Sequence, residues 1–163
     1  MSTQEKSLYM TVLMTPDMAN FSGKVHGGAI LKLLDQVAYA CAARYSKGYV
    51  ITASLDLVQF KEPLEVGELV TFMANVNYTG NTSMEVGIKV VAENLHTKTK
   101  RHTSSCYFTM VAMDDAGRPR SVTPLEITTE TERKLFEAAV MRKGMRQEIT
   151  ERNRALHVGI PEQ

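Results

Sequence analysis

The sequence predicts an α+β fold, an antiparallel sheet of about five strands wrapped around one long central helix, with a peripheral helix at the C-terminus. Three observations carry that reading. Residues 28–46, GAILKLLDQVAYACAARYS, contain no proline and no glycine after the first position. From residue 49 the apolar residues become β-branched or aromatic and recur at every second position. Past Pro124 the chain returns to a helical texture, dense in charge.

Each element follows in chain order. LYMTVLM near the N-terminus reads as a strand that joins the sheet from the front. The Ala- and Leu-rich run from Gly28 to Ser46 makes a helix of about five turns. On its wheel Ala29, Ile30, Leu31, Leu33, Leu34, Val37, Ala38, Ala40, Cys41 and Ala42 cover more than half the circumference. Only Lys32, Gln36 and Ala43 form a polar strip, so the helix is expected to be buried on most sides. Four strands follow. In YVITASLDLVQF, residues Ile51, Ala53, Leu55 and Leu57 are expected on one face; LVTFMANVNY is next; MEVGIKVVAEN aligns Met84, Val86, Ile88, Val90 and Ala92; HTSSCYFTMVAM closes the set. The connections KEPLEVGE, TGNTS, NLHTKTKR and DDAGRPR are short and rich in turn residues, which predicts an antiparallel meander. The last helix has Thr128 or Thr129 as its cap and an apolar face of Leu135, Phe136, Ala139, Val140 and Met145, with Gly144 expected to interrupt it. Residues 1–125 are read as one domain and 126–163 as a helical extension of it.

The bulk numbers narrow the class of function. At 163 residues the chain can bury a core without cross-links. Nineteen basic residues stand against 18 acidic ones, scattered along the chain, for a net charge of +1, which gives no footprint for nucleic acid or an anionic membrane. Cys41 and Cys106 sit in apolar stretches without metal-ligand spacing and read as free thiols in a reducing compartment. The N-terminus has no signal-peptide pattern, and no apolar run approaches the ~18 residues of a membrane span, so a cytoplasmic location is expected.

Asp35 is the residue out of place. It stands at the seam between the apolar arc and the polar strip, flanked on the wheel by Gly28, Ala42 and Tyr39. Two readings stay open: an ion pair with Lys32 one turn away, or a reactive carboxylate with room for a substrate beside it. The VHGG segment is either a glycine turn before a helix or an anion site, because free N–H groups at a helix N-terminus face the positive end of its dipole. Asn20, taken alone, is an ordinary loop residue. His26, His96, His102 and His157 share no ligand spacing, so no metal is expected.

Taken in order, MTPDMANFSGKVHGGAILKLLDQVAYACAARY, SLDLVQFKEPLEVGELV, NYTGNTSMEVGIKV and HTSSCYFTMVAMD resemble the acyl-CoA thioesterases of hotdog fold, the group that contains cytosolic acyl-CoA hydrolase. The likeness runs from about residue 8 to 125, and the terminal helix lies outside it. It implies the hotdog fold and hydrolysis of fatty acyl-CoA to fatty acid and CoA, with no cofactor beyond the coenzyme A of substrate and product. It also implies roles: Asp35 as base or nucleophile, Asn20 and Thr52 beside it, and the amides of Gly27 and Gly28 as an oxyanion hole. The hairpin Thr79, Gly80, Asn81, Thr82 and Ser83 is implied as a contact for the CoA arm. The acid and the glycine turn lie seven residues apart, about 10 Å of helix, too far to serve one thioester, so a homo-oligomer is expected: a dimer at least, and by the resemblance a trimer of dimers. A hydratase on the same scaffold, and a non-catalytic acyl-CoA binding module or sensor, are the rival readings.

Overall fold

The computed structural model describes residues 3–156 of the chain, so His157 lies outside the described residues. The chain divides into two compact units, Met1–Glu126 and Ile127–Gln163. The first unit holds β1 (Ser7–Leu13), α1 (Gly27–Ser46), β2 (Val50–Asp56), β3 (Leu69–Thr79), β4 (Ser83–Glu93) and β5 (Lys100–Ala112), with a short 3₁₀ turn at Pro16–Met18. The second holds α2 (Glu130–Ala155). Among the described residues no helix is long and apolar enough to cross a membrane.

The five strands form one antiparallel sheet in the order β1-β3-β4-β5-β2. The predicted meander therefore holds for β3, β4 and β5 but not for β2. That strand leaves α1 at the far edge and pairs with β5, and the 57–68 connection crosses back to begin β3 beside β1. A twelve-residue connection is long enough to cross, whereas the β3–β4 and β4–β5 links are tight enough to make hairpins.

The inner face of the sheet is a continuous apolar surface. Val70, Phe72, Ala74 and Val76 of β3, Met84, Val86, Ile88, Val90 and Ala92 of β4, and Cys106, Phe108 and Met110 of β5 are all buried. Against it α1 lays Ile30, Leu34, Val37, Ala38, Cys41, Ala42 and Tyr45. Within one chain the helix is thus buried on one face, not on most sides. Ala29, Leu33, Ala40 and Ala43 are half-buried and Tyr39 is exposed, because a five-stranded sheet covers only one side of a helix.

The face predicted for β2 is also corrected. Thr52 stands opposite Met110 and Ser54 opposite Thr109, so one extra residue, Ala53, is accommodated as a bulge. Because residues directly opposite in an antiparallel pair share a face, Ile51 and Leu55 fall on different sides of the sheet. Both, together with Leu57 beyond the strand, are exposed.

In α2 the cap is Thr129: its hydroxyl accepts the Glu132 N–H at 3.1 Å and Glu132 reaches back to the Thr129 N–H, a complete capping box. The helix runs through Gly144 without a break. A glycine costs roughly 1 kcal/mol in a helix interior, which a 26-residue helix with a good cap and the pairs Arg133–Glu137 and Arg152–Glu148 absorbs. Of the expected apolar face, Ala139 is buried and Leu135 and Phe136 half-buried, while Val140 and Met145 are exposed.

Candidate active site

The segment before α1 folds as a small ribbon. Ala19 bridges Val25 and the Asn20 N–H donates to Lys24 O at 2.7 Å; the turn between them passes through Gly23 at φ +81°, a left-handed conformation suited to glycine. The Asn20 side chain closes this turn from inside. Its Oδ1 accepts from the Ser22 N–H at 2.9 Å, the Ser22 hydroxyl at 2.7 Å and the Lys24 N–H at 3.2 Å. With the oxygen fully engaged, the Asn20 Nδ2 group remains as a donor whose orientation the turn sets.

The ribbon leads into His26, which caps α1 and receives a hydrogen bond at Nδ1 from the Gly28 N–H, 2.9 Å. The two glycines are thereby distinguished: the Gly28 amide is engaged by the cap, while the Gly27 N–H has no intrachain partner among the described residues. The Phe60 ring lies against Gly27, with Cε2 3.7 Å from where a Cβ would stand. Histidine is an uncommon cap, and neither this bond nor the approach of Phe60 across the crossover leaves a signal in residue spacing.

Asp35 lies two turns further along α1, on the rim of the buried face as its wheel position predicts. It is exposed in the single chain. Its Oδ1 accepts the Thr52 hydroxyl at 2.7 Å, a bond between α1 and the edge strand β2, and no ion pair joins it to Lys32. The structure therefore brings together Asp35 and Thr52 on one side, and Asn20, Gly27 and Gly28 at the helix N-terminus on the other.

The 79–83 hairpin lies level with Thr52 across the sheet, since Thr52 faces Met110, Met110 faces Met84 and Met84 faces Thr79. Much of its polar surface is used by its own chain. Thr79 Oγ1 accepts the Leu125 N–H at 2.9 Å, Asn81 O accepts the Val122 N–H at 2.8 Å, and Thr82 O accepts the Ala112 N–H at 2.9 Å. Arg120 is engaged too: it donates to Met113 O and Ser46 O, both at 3.0 Å, and ties the end of α1 to the turn after β5. Cys41 and Cys106 are buried free thiols, each pushed up to about 12 by burial and so kept protonated and unreactive.

Comparison with known proteins agrees on a family. Residues 22–99 match the Thioesterase superfamily. Protein VdlD of Helicobacter pylori is 50% identical over 85% of this chain and 79% of that protein. A hexameric acyl-CoA thioesterase superposes with a TM-score of 0.86 at 36% identity, over 90% of this chain and 94% of that one. An acyl-CoA hydrolase from Staphylococcus aureus, solved with butyryl coenzyme A, coenzyme A and coenzyme A disulfide, superposes with a TM-score of 0.81 at 26% identity, over 94% of this chain and 96% of its own. The same hydrolase has been solved as three variants in which an aspartate, an asparagine or a threonine is replaced by alanine.

Proposed function

The chain belongs to the Thioesterase superfamily, among its hotdog-fold acyl-CoA thioester hydrolases, and we propose that it releases free fatty acid and CoA from fatty acyl-CoA with Asp35 as the base or nucleophile. The observation that carries this reading is the 2.7 Å hydrogen bond from Thr52 to an exposed Asp35 carboxylate that has no ion pair with Lys32. An acid held by one neutral donor keeps lone pairs free for a proton or an acyl carbon. Supporting it, the asparagine, aspartate and threonine replaced in the Staphylococcus aureus hydrolase are spaced by 15 and 17 residues, the intervals that separate Asn20, Asp35 and Thr52.

Two routes fit the arrangement. In the first, Asp35 takes a proton from water as the water oxygen adds to the thioester carbonyl carbon; the C–S bond then breaks and CoA leaves as thiolate, to be protonated. In the second, the carboxylate itself adds to the carbonyl carbon, the C–S bond breaks and CoA leaves as thiolate to be protonated, and water opens the resulting anhydride. In both, negative charge develops on the carbonyl oxygen. The Gly27 N–H at the positive end of α1 and the Asn20 Nδ2 group are the donors for it, each worth roughly 3 kcal/mol when well placed. The Gly28 amide joins them once a ligand displaces the His26 ring. The 79–83 hairpin receives the CoA arm on the surface that its bonds to residues 121–125 leave open.

The site is shared between subunits. Gly28 and Asp35 are about 10 Å apart along one helix, and β2 presents an unpaired edge on which Ile51 and Leu55 are exposed. Pairing two such edges covers this surface and sets Asp35 of one chain against the glycine turn of the other. Three dimers joined as a hexamer follow the hexameric relative. The test is thiol release from acyl-CoAs of graded length. Asp35→Ala is expected to lose activity by about a hundredfold or more while remaining folded, and near-normal turnover would remove Asp35 from the reaction.

A further inference from the structure

The ribbon that carries Asn20 leans on a second turn. Its Lys24–Val25 strand pairs with Ala19–Asn20 on one side and with Leu64–Glu65 on the other: the Val25 N–H donates to Leu64 O at 2.9 Å, Lys24 bridges Glu65 through the backbone, and their side chains form an ion pair. Residues 65–68 turn back at Gly67, φ +92°, closed by the Glu68 N–H on Glu65 O at 3.2 Å.

Glu68 is the unusual member of this turn. It is only 6% exposed, and its Oε1 accepts two bonds at once, from the Glu65 N–H at 2.8 Å and from Arg101 Nη2 at 2.6 Å. Arg101 stands on β5 opposite Ala92 and also donates to Pro63 O at 2.8 Å and to Glu62 Oε2 at 2.6 Å. One guanidinium thus pins the 62–68 turn to the sheet at three points. A buried carboxylate deprived of its cation is strongly destabilised, so the turn has one low-energy arrangement.

We propose that the Arg101–Glu68 pair is a positioning element for the reaction: it fixes the 62–68 turn, the turn fixes Lys24–Val25, and that strand sets where the Asn20 Nδ2 group points. The inference rests on the placement of Asn20 in the active site. No atom of the pair meets the substrate, and its effect runs wholly through the ribbon. Misplacing a reacting group by about 1 Å can cost on the order of a hundredfold in rate, so a modest slackening of the turn is enough to register.

A double-mutant cycle on the full-length assembled enzyme tests this. Glu68→Gln keeps the shape and the acceptor for the Glu65 N–H but gives Arg101 a neutral partner. It is expected to lower kcat about tenfold with KM changed less than about twofold, and to change kcat no further in an Asn20→Ala background. Arg101→Lys, which keeps the charge but cannot reach Pro63, Glu62 and Glu68 together, is expected to behave alike and serves if Glu68→Gln does not fold. An equal loss in both backgrounds would show a merely structural pair and overturn the proposal. So would unchanged kcat in both single variants while Asn20→Ala is impaired. An Asn20→Ala enzyme with normal turnover would instead overturn the placement of Asn20, and the pair's role with it.

Discussion

Residues 19–28 and residues 79–83 are both glycine-containing turns with polar side chains, and the family resemblance implies ligand contact for both. They are built in opposite ways. In the first, the Asn20 oxygen is consumed by the turn itself, and its Nδ2 group and the Gly27 N–H have no hydrogen-bond partner among the described residues. In the second, the Thr79 hydroxyl and the carbonyls of Asn81 and Thr82 are taken up by residues 112–125. The same residue types keep donors open in one place and have several of their polar atoms engaged by the fold in the other, and the deciding factor is which atoms the local backbone has already used.

The largest effect that would break this contrast is at Asn20. Asn20→Ala is expected to lower kcat on the order of a hundredfold, as for loss of an oxyanion donor, with a far smaller change in KM. Turnover within about twofold of the parent would make Asn20 a plain turn residue.

Mixing sharpens the point. If Asn20 of one chain serves Asp35 of its partner, inactive Asn20→Ala and Asp35→Ala chains should restore activity when reassembled together, because a mixed dimer holds one intact site. Equal amounts pairing at random put half the dimers in the mixed form, so recovery should approach about a quarter of wild type. Subunit exchange confirmed by mass, without recovery, would place each site within one chain.

The smallest effect lies in the hairpin. Thr79→Val removes the acceptor of the Leu125 N–H and is expected to cost about 1 kcal/mol, seen as a melting point lower by a few degrees, with kcat unchanged and KM within about twofold. A tenfold rise in KM at unchanged melting point would assign the Thr79 hydroxyl to CoA.

Strand and helix positions were legible because period-two and period-3.6 patterns report which faces meet the core, and Met84 to Ala92 show it plainly. The wheel also put Asp35 at the rim of the buried face. Crossing and pairing are not local properties. The return of β2 to the far edge depends on which strand it meets, and the bulge at Ala53 on a register that only β5 reveals. The Asp35–Thr52 bond joins residues 17 apart, and the Arg101–Glu68 contact spans 33, so neither leaves a periodic trace. Gly144 misled for a different reason: propensity is a small local term, and a well-capped long helix outweighs it.

Thr52, whose hydroxyl donates to Asp35, belongs to a strand at the rim of the sheet. If the site is divided between two chains as proposed, how well each molecule works depends on how many others are nearby. Specific activity would then fall on dilution, and it would fall for reasons unrelated to unfolding. A cell that halves its supply of this protein would lose more than half of its hydrolysis once the concentration approaches the dissociation constant of the dimer. Abundance would act on quality as well as on quantity, and a destabilising change at the β2 edge would mimic a catalytic defect in dilute extracts yet vanish in concentrated ones.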